Sequence, residues 1–211
     1  MQASEILKFW FEDIPSKSWF VKDSAFDQLI KERYLPFHRA AACGELYSWR
    51  DNAQGRLAEI IILDQFSRNI YRDKSGAFAW DNQVLVLAQE AVAVGALDEL
   101  EVTQQSFLIM PYMHSESKLI HEQAVMLFSR PGLENNLDFE LRHKEIIDRF
   151  GRYPHRNAIL GRQSSAEEEV FLAQPGSSFE PRGDSLSVIF WVNFVHLALE
   201  LNVLSASSQT L

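Results

Sequence analysis

Leu63-Asp64-Gln65-Phe66-Ser67-Arg68-Asn69-Ile70-Tyr71-Arg72 decides how the chain is read. Leu63, Phe66 and Ile70 recur at the spacing of one helix face, and Asp64 and Arg68 stand one turn apart on the same helix. Charge is therefore placed in a helix whose other positions are suited to a core. Upstream, Leu57-Ala58-Glu59-Ile60-Ile61-Ile62 extends the pattern, which predicts a helix from about Gln54 to Asn69. The same periodicity recurs along nearly the whole chain, whereas the alternation of a half-buried strand is hard to find. The fold class is all-α.

Punctuation residues divide the chain into further helices. One is expected from Ser4 as N-cap to about Phe11, and a longer one after Asp23, bent or broken near Pro36 and closed by Gly44. Asp81 caps a helix that Gly95 ends, and Pro111 stops another that begins at Thr103. Helices from about Glu116 to Phe128 and from about Leu137 to Phe150 precede Gly132 and Gly151, and Ser165-Ala166-Glu167-Glu168 is a capping box. The composition break at residues 176–184 predicts a loop before a last apolar helix, Leu186 to Leu204. That helix carries Asn193, His196 and Glu200 on one stripe, which favours packing on the domain or in a homodimer interface over a membrane anchor. The expected organisation is one domain over residues 1–179 with a C-terminal extension over 180–211.

Composition narrows the partners. With 46% hydrophobic residues in 211, the chain can bury a core of its own. A formal net charge of -9 speaks against nucleic acid, which needs a basic face. The single cysteine, Cys43, forms no intramolecular disulfide and is expected to pack near a helix end; it suits a reducing compartment, and the N-terminus lacks the basic and apolar segments of a secretory signal, so a cytoplasmic location is expected. The N-terminal aromatics Phe9, Trp10, Phe11, Trp19 and Phe20 are expected in the core.

Against this acidic background, residues 142–162 concentrate Arg142, Lys144, Arg149, Arg152, Arg156 and Arg162 against Glu145 and Asp148. Guanidinium forks match carboxylate and phosphate oxygens, so this segment together with Arg68 predicts a cleft for an anion; structural ion pairs are the alternative. The turn Phe150-Gly151-Arg152-Tyr153-Pro154-His155-Arg156-Asn157 aims several polar groups at one place. His155, between two arginines, is expected to stay neutral and is the best-placed base among His114, His121, His143 and His155, the alternatives being a hydrogen-bonded turn residue for His155 and a partner for the start of the next helix for His114. Glu140-Leu141-Arg142-His143 has Glu-x-x-His spacing, but a bundle metal site needs two such motifs, so no metal is expected. No nucleophile elbow, phosphate loop or dinucleotide fingerprint occurs, and no cofactor is expected.

Four blocks in order, Leu63 to Arg72, Met110-Pro111-Tyr112-Met113-His114-Ser115-Glu116, Arg149 to Arg162 and Pro175-Gly176-Ser177-Ser178-Phe179, carry a resemblance over about residues 4 to 179. The chain resembles the bacterial domain of unknown function 924 family. The resemblance implies antiparallel helical hairpins stacked in a tetratricopeptide-like array, and brings no substrate, cofactor or catalytic residue with it. Two short Ala-rich stretches that end in Gly44-Glu45-Leu46 and Gly95-Ala96-Leu97 fit such hairpins, and fit an ordinary pair of Gly-terminated helices equally well.

Three functions are expected to compete. The first is a binding protein for an anionic small molecule or peptide carboxylate, with Asp64, Gln65, Arg68, Asn69, His114, Arg149, Arg152, His155, Arg156 and Asn157 at the ligand. The second is a small-molecule hydrolase with Asp64 or His155 as general base. The third is an assembly protein that dimerises through its last helix.

Overall fold

A computed structural model describes residues 2–175 and 177. Among them every regular element is helical, as the periodicity predicts. The 180–211 extension, including the expected last helix and its dimer interface, lies outside the described residues. No helix among the described residues is long and apolar enough to cross a membrane.

Helix α1 (Ala3–Lys8) widens into a π turn at Phe9–Asp13, and its cap is Gln2 rather than Ser4, with the Glu5 carboxylate accepting from the Gln2 N–H at 3.1 Å. Helix α2 (Ser24–Ala42) starts where Asp23 Oδ1 accepts the N–H groups of Ala25 and Phe26 at 2.8 and 3.2 Å. It runs through Pro36 without ending there, a correction to the expected break. Pro36 is exposed, so water can take the carbonyl it leaves unbonded, while buried Ile30, Tyr34, His38, Ala40 and Ala41 hold the helix to the core.

Helix α3 (Ala53–Ile61) begins under Asn52, whose side chain accepts from the Gly55 N–H at 2.9 Å. Gly55 is required by a close approach, since a Cβ there would sit 1.9 Å from the Trp49 carbonyl oxygen. The expected helix to Asn69 is in fact three pieces: α3, a π turn at Ile62–Phe66, and α4 (Ser67–Ile70). Asp64 and Gln65 lie in the π turn, a geometry frequent at functional sites.

Helix α5 (Asp81–Ala93) has Asp81 as its first residue, and Gly95 follows it in the left-handed conformation, φ 79°. Helix α6 (Val102–Met113) contains Pro111 near its end instead of stopping before it. Helices α7 (Lys118–Phe128) and α8 (Glu134–Phe150) follow; Gly151 closes α8 at φ 69°. Helix α9 (Ala166–Leu172) begins with the expected capping box, Ser165 and Glu168 bonding each other's N–H groups.

From α5 to α8 each helix packs against the next, and α3 packs against α1, α5 and α6. The core they enclose is strongly aromatic, as expected: Phe9 lies 4.7 Å from Tyr34 and Trp10 lies 5.6 Å from Phe66, ring centre to ring centre. Cys43 sits at the C-terminal end of α2, as expected, but is exposed rather than packed. A smaller cluster of Ile146, Ile147 and Tyr153 lies at the end of α8. It supports the Arg152 to Asn157 turn beside the main core.

Candidate functional site

The π turn and the Arg156 turn do meet, through residues of two further elements. Asp64 is fully buried, and its Oδ1 lies 2.7 Å from His114 Nδ1 and 3.1 Å from Arg68 Nη1. Arg68 Nη2 donates to Asp81 Oδ1 at 3.0 Å, and Arg156 Nη1 donates to Asp81 Oδ2 at 3.1 Å. The result is one chain of charge-assisted contacts, His114 to Asp64 to Arg68 to Asp81 to Arg156. It joins the end of α6, the π turn, α4, the start of α5 and the turn after α8.

Local geometry explains each placement. Arg68 sits one turn beyond Asp64, so the same Nη1 also reaches the Asp64 carbonyl at 2.9 Å. His114 occupies the C-terminal cap of α6, and Asp81 heads α5, where the helix dipole favours a carboxylate. Arg156 follows Pro154 in a 3-10 turn and lies over two rings, Phe78 and Tyr153, each 4.6 Å from its Cζ.

Electrostatics distinguish the members. Burial alone would raise the Asp64 pKa, but the charges of Arg68 and His114 and hydrogen bonds from His114 and Gln65 outweigh it and hold the carboxyl at about 2. Burial lowers His114 more than Asp64 raises it, so the imidazole is neutral near pH 7. Its Nδ1–H then donates to Asp64, and Nε2 presents a lone pair that no described residue engages. Arg68 is raised: burial pulls it down, and Asp64 and Asp81 together more than compensate. Arg156 moves the opposite way, lowered by burial that Asp81 only partly offsets, with Arg68 adding repulsion. One carboxylate serves two guanidiniums, and Arg156 is the less compensated.

Other expected site residues fall elsewhere. Gln65 donates to Asp64 Oδ2 at 2.6 Å and supports the network. Asn69 faces α2 and donates to Asp27 at 2.8 Å, beside the Arg72–Asp27 ion pair. Arg149 pairs with Glu167 at 2.8 Å on the surface, and Arg152 makes a two-pronged contact with Glu168 at 2.6 and 2.7 Å. Asn157 bonds Ser164 at 3.0 Å and accepts from Arg162 at 3.0 Å. These pairs tie the turn to α9 and leave Arg68 and Arg156 as the arginines of the network. His155 lies beside the Tyr153 ring, 5.4 Å between centres, and is pushed down to about 3 by burial and by Arg156.

Tyr153 and Asp81 were not expected at the site. The Asp81 signal in the sequence was a helix start, which masked its bridging role. Tyr153 is fully buried; its hydroxyl donates to the Met113 carbonyl at 2.5 Å and stands 3.2 Å from His121 Nε2. His121 Nε2–H donates to the Ser115 carbonyl at 2.8 Å and Nδ1 lies 2.6 Å from Glu140 Oε1, so a single proton lies between the two buried side chains. Burial raises Glu140. Glu140 thus turns to His121 on α7, while His143 Nδ1 lies 2.8 Å from the Phe139 carbonyl, and the two halves of the Glu-x-x-His spacing serve different partners. Among the described residues no group of three or more His, Cys, Asp or Glu side chains is arranged to hold a metal ion.

A compact all-α domain with a buried acid–histidine–arginine network at one end of its helices defines the class of this protein. The chain belongs to the family described as bacterial protein of unknown function, DUF924, which it matches over residues 6–176. It is also similar to the solved structure of a protein of unknown function from Agrobacterium tumefaciens, at 34% identity and a TM-score of 0.75, with 81% of this chain and 96% of that chain covered. No curated protein matches it.

Proposed function

We propose that this protein binds a small molecule or peptide end that carries an oxyanion, at the Arg156 end of the network. The observation that carries the reading is the state of Arg156 itself. The residue is 6% exposed, Nη1 alone is hydrogen-bonded among the described residues, and the carboxylate it meets is shared with Arg68. A buried guanidinium with so few acceptors is costly, and an incoming carboxylate or phosphate would supply them. Nε is sealed among its neighbours, so a guest reaches the group at Nη2, which has no hydrogen-bond partner among the described residues. His114 Nε2, at the other end of the network, suits a hydroxyl or amide N–H of the same guest.

Calorimetric titration of the full chain with inorganic phosphate, succinate, and a tripeptide with free or amidated C-terminus tests this. Saturable binding of one of these anions, weakened at least about tenfold in Arg156→Gln and retained in part by Arg156→Lys, is expected. Preference for the free over the amidated peptide would assign the peptide source. Equal affinity of wild type and Arg156→Gln for every anion would remove the reading and leave the network as structural ion pairing.

A hydrolase working through Asp64 or His155 has less support. Both Asp64 oxygens are engaged and its carboxyl is held at about 2, while His155 is held at about 3; a proton acceptor for neutral pH needs a higher value. Dimerisation through the last helix and a cytoplasmic location belong to the same set of proposals: the helix lies outside the described residues, and the location rests on the single cysteine.

A further inference from the structure

The Asp64–His114 pair is built like the base of a hydrolytic site. A buried carboxylate holds one imidazole nitrogen and fixes the tautomer, and the other nitrogen is left with a lone pair that no described residue engages. Asp64 is fully buried and His114 keeps 16% of its side chain exposed, so the pair has an inner, orienting member and an outer, reactive one. Among the other histidines near it, His121 has both nitrogens engaged and His143 Nδ1 meets the Phe139 carbonyl. Sequence reasoning favoured His155 as base, and the structure places the oriented imidazole at position 114 instead.

We infer that His114 is a general base, positioned by Asp64, that hydrolyses a carboxylic ester whose acidic group is held by Arg156. The inference rests on the oxyanion reading of Arg156 for its substrate preference. In the step, a water molecule gives its proton to His114 Nε2 as its oxygen bonds to the ester carbonyl carbon. The tetrahedral adduct then expels the alcohol oxygen, which takes the proton back from Nε2. Ester and water become acid and alcohol, the imidazole is regenerated, and no oxidant, reductant or metal enters the balance.

The groups that face His114 set its pH behaviour. Asp64 in the π turn and Asp81 on α5 favour its protonated form; Arg68 on α4 opposes it, and His143 on α8 and His155 after Pro154 are coupled to it by charge. Burial prevails, so the base is unprotonated at neutral pH and activity declines only on the acid side. Asp64 is a positioning residue, and its variant should move that acid limb as well as the rate.

The probe is 4-acetoxybenzoate, an aryl ester bearing a carboxylate, with phenyl acetate as its uncharged counterpart. Turnover of 4-acetoxybenzoate by the full chain above an equal concentration of free imidazole is expected, at a rate that falls about 100-fold in His114→Asn. That variant keeps an amide N–H for Asp64 and loses the atom at Nε2, so folding is retained while the base is removed. Asp64→Asn should shift the acid limb of kcat/KM to lower pH. Unchanged turnover in folded His114→Asn, or binding of 4-acetoxybenzoate with no turnover at all, overturns the general base and leaves the anion site standing. His114-dependent turnover that is equal for the two esters supports the base and overturns the oxyanion preference. Absence of both binding and turnover overturns the inference.

Discussion

Asp64 and His114 are fifty positions apart in the chain and 2.7 Å apart in space, with Asp64 fully buried. Removing one partner from such a pair leaves Arg68 short of a counter-charge. Asp64→Ala is therefore expected to lower the unfolding free energy by about 3–5 kcal/mol. Urea denaturation measures it, and a loss below about 1 kcal/mol would show that solvent already screens the network.

Acid should weaken the same pair from the other side. The Asp64 carboxyl titrates at about 2 in the folded chain and near 3.8 ordinarily, so its contribution is complete above the ordinary value and lost as pH falls through the folded one. The window runs from about pH 4 to about pH 2 and is worth on the order of 2 kcal/mol. Unfolding midpoints across this window in wild type and Asp64→Asn should converge as pH falls. A constant gap would contradict the assignment.

His38 sets an earlier acid limit. Ser67 donates its hydroxyl to the Leu63 carbonyl at 2.5 Å, so His38 Nε2–H must donate to Ser67 Oγ at 2.8 Å. Nδ1 is then a buried lone pair without a partner among the described residues, and burial lowers the imidazole to about 4. The unfolded chain takes up this proton near 6.5 and the folded chain does not, so stability falls as pH drops from about 6.5 to about 4. His38→Gln keeps an amide donor for Ser67 and should flatten this part of the stability profile. An identical slope in that variant would assign the loss to other groups.

Gly55 tests the packing of α3. A methyl group there meets the Trp49 carbonyl oxygen, a backbone atom with little room to yield. Gly55→Ala should cost about 2 kcal/mol, about 5 °C in Tm, despite the better helix propensity of alanine. A stabilised variant would mean that the Tyr47–Asp51 turn shifts readily.

Asp81 separates a ligand site from a salt bridge. If it competes with a guest anion for Arg156, then Asp81→Asn should tighten anion binding by about tenfold while it lowers stability. Affinity that falls in parallel with stability would argue that the bridge only holds the fold.

What the sequence makes legible depends on the range of the interaction. The helices were legible from apolar spacing and caps, and so was Asp64 beside Arg68, because one turn of helix sets that distance. The Ser165 capping box is local in the same sense. Pro36 and Pro111 are not legible as helix-interior residues, because tertiary burial and solvent access decide whether a helix survives a missing donor. The π turn left no trace in periodicity, because residues 57–67 are buried on every side and no exposed stripe marks the helix face.

Arginine partners were illegible for a different reason. Residues 142–162 present several guanidiniums in similar local settings, yet Arg149, Arg152 and Arg162 are paired with Glu167, Glu168 and Glu116, and Arg156 reaches Asp81. Backbone hydrogen bonds and side-chain periodicity act within a few residues, so the order of amino acids settles helix, cap and the acid–base pair of a single turn. Which cation meets which carboxylate, and which one is left under-compensated, depends on how α5, α6, α8 and the turn after α8 stack, and packing alone makes that choice.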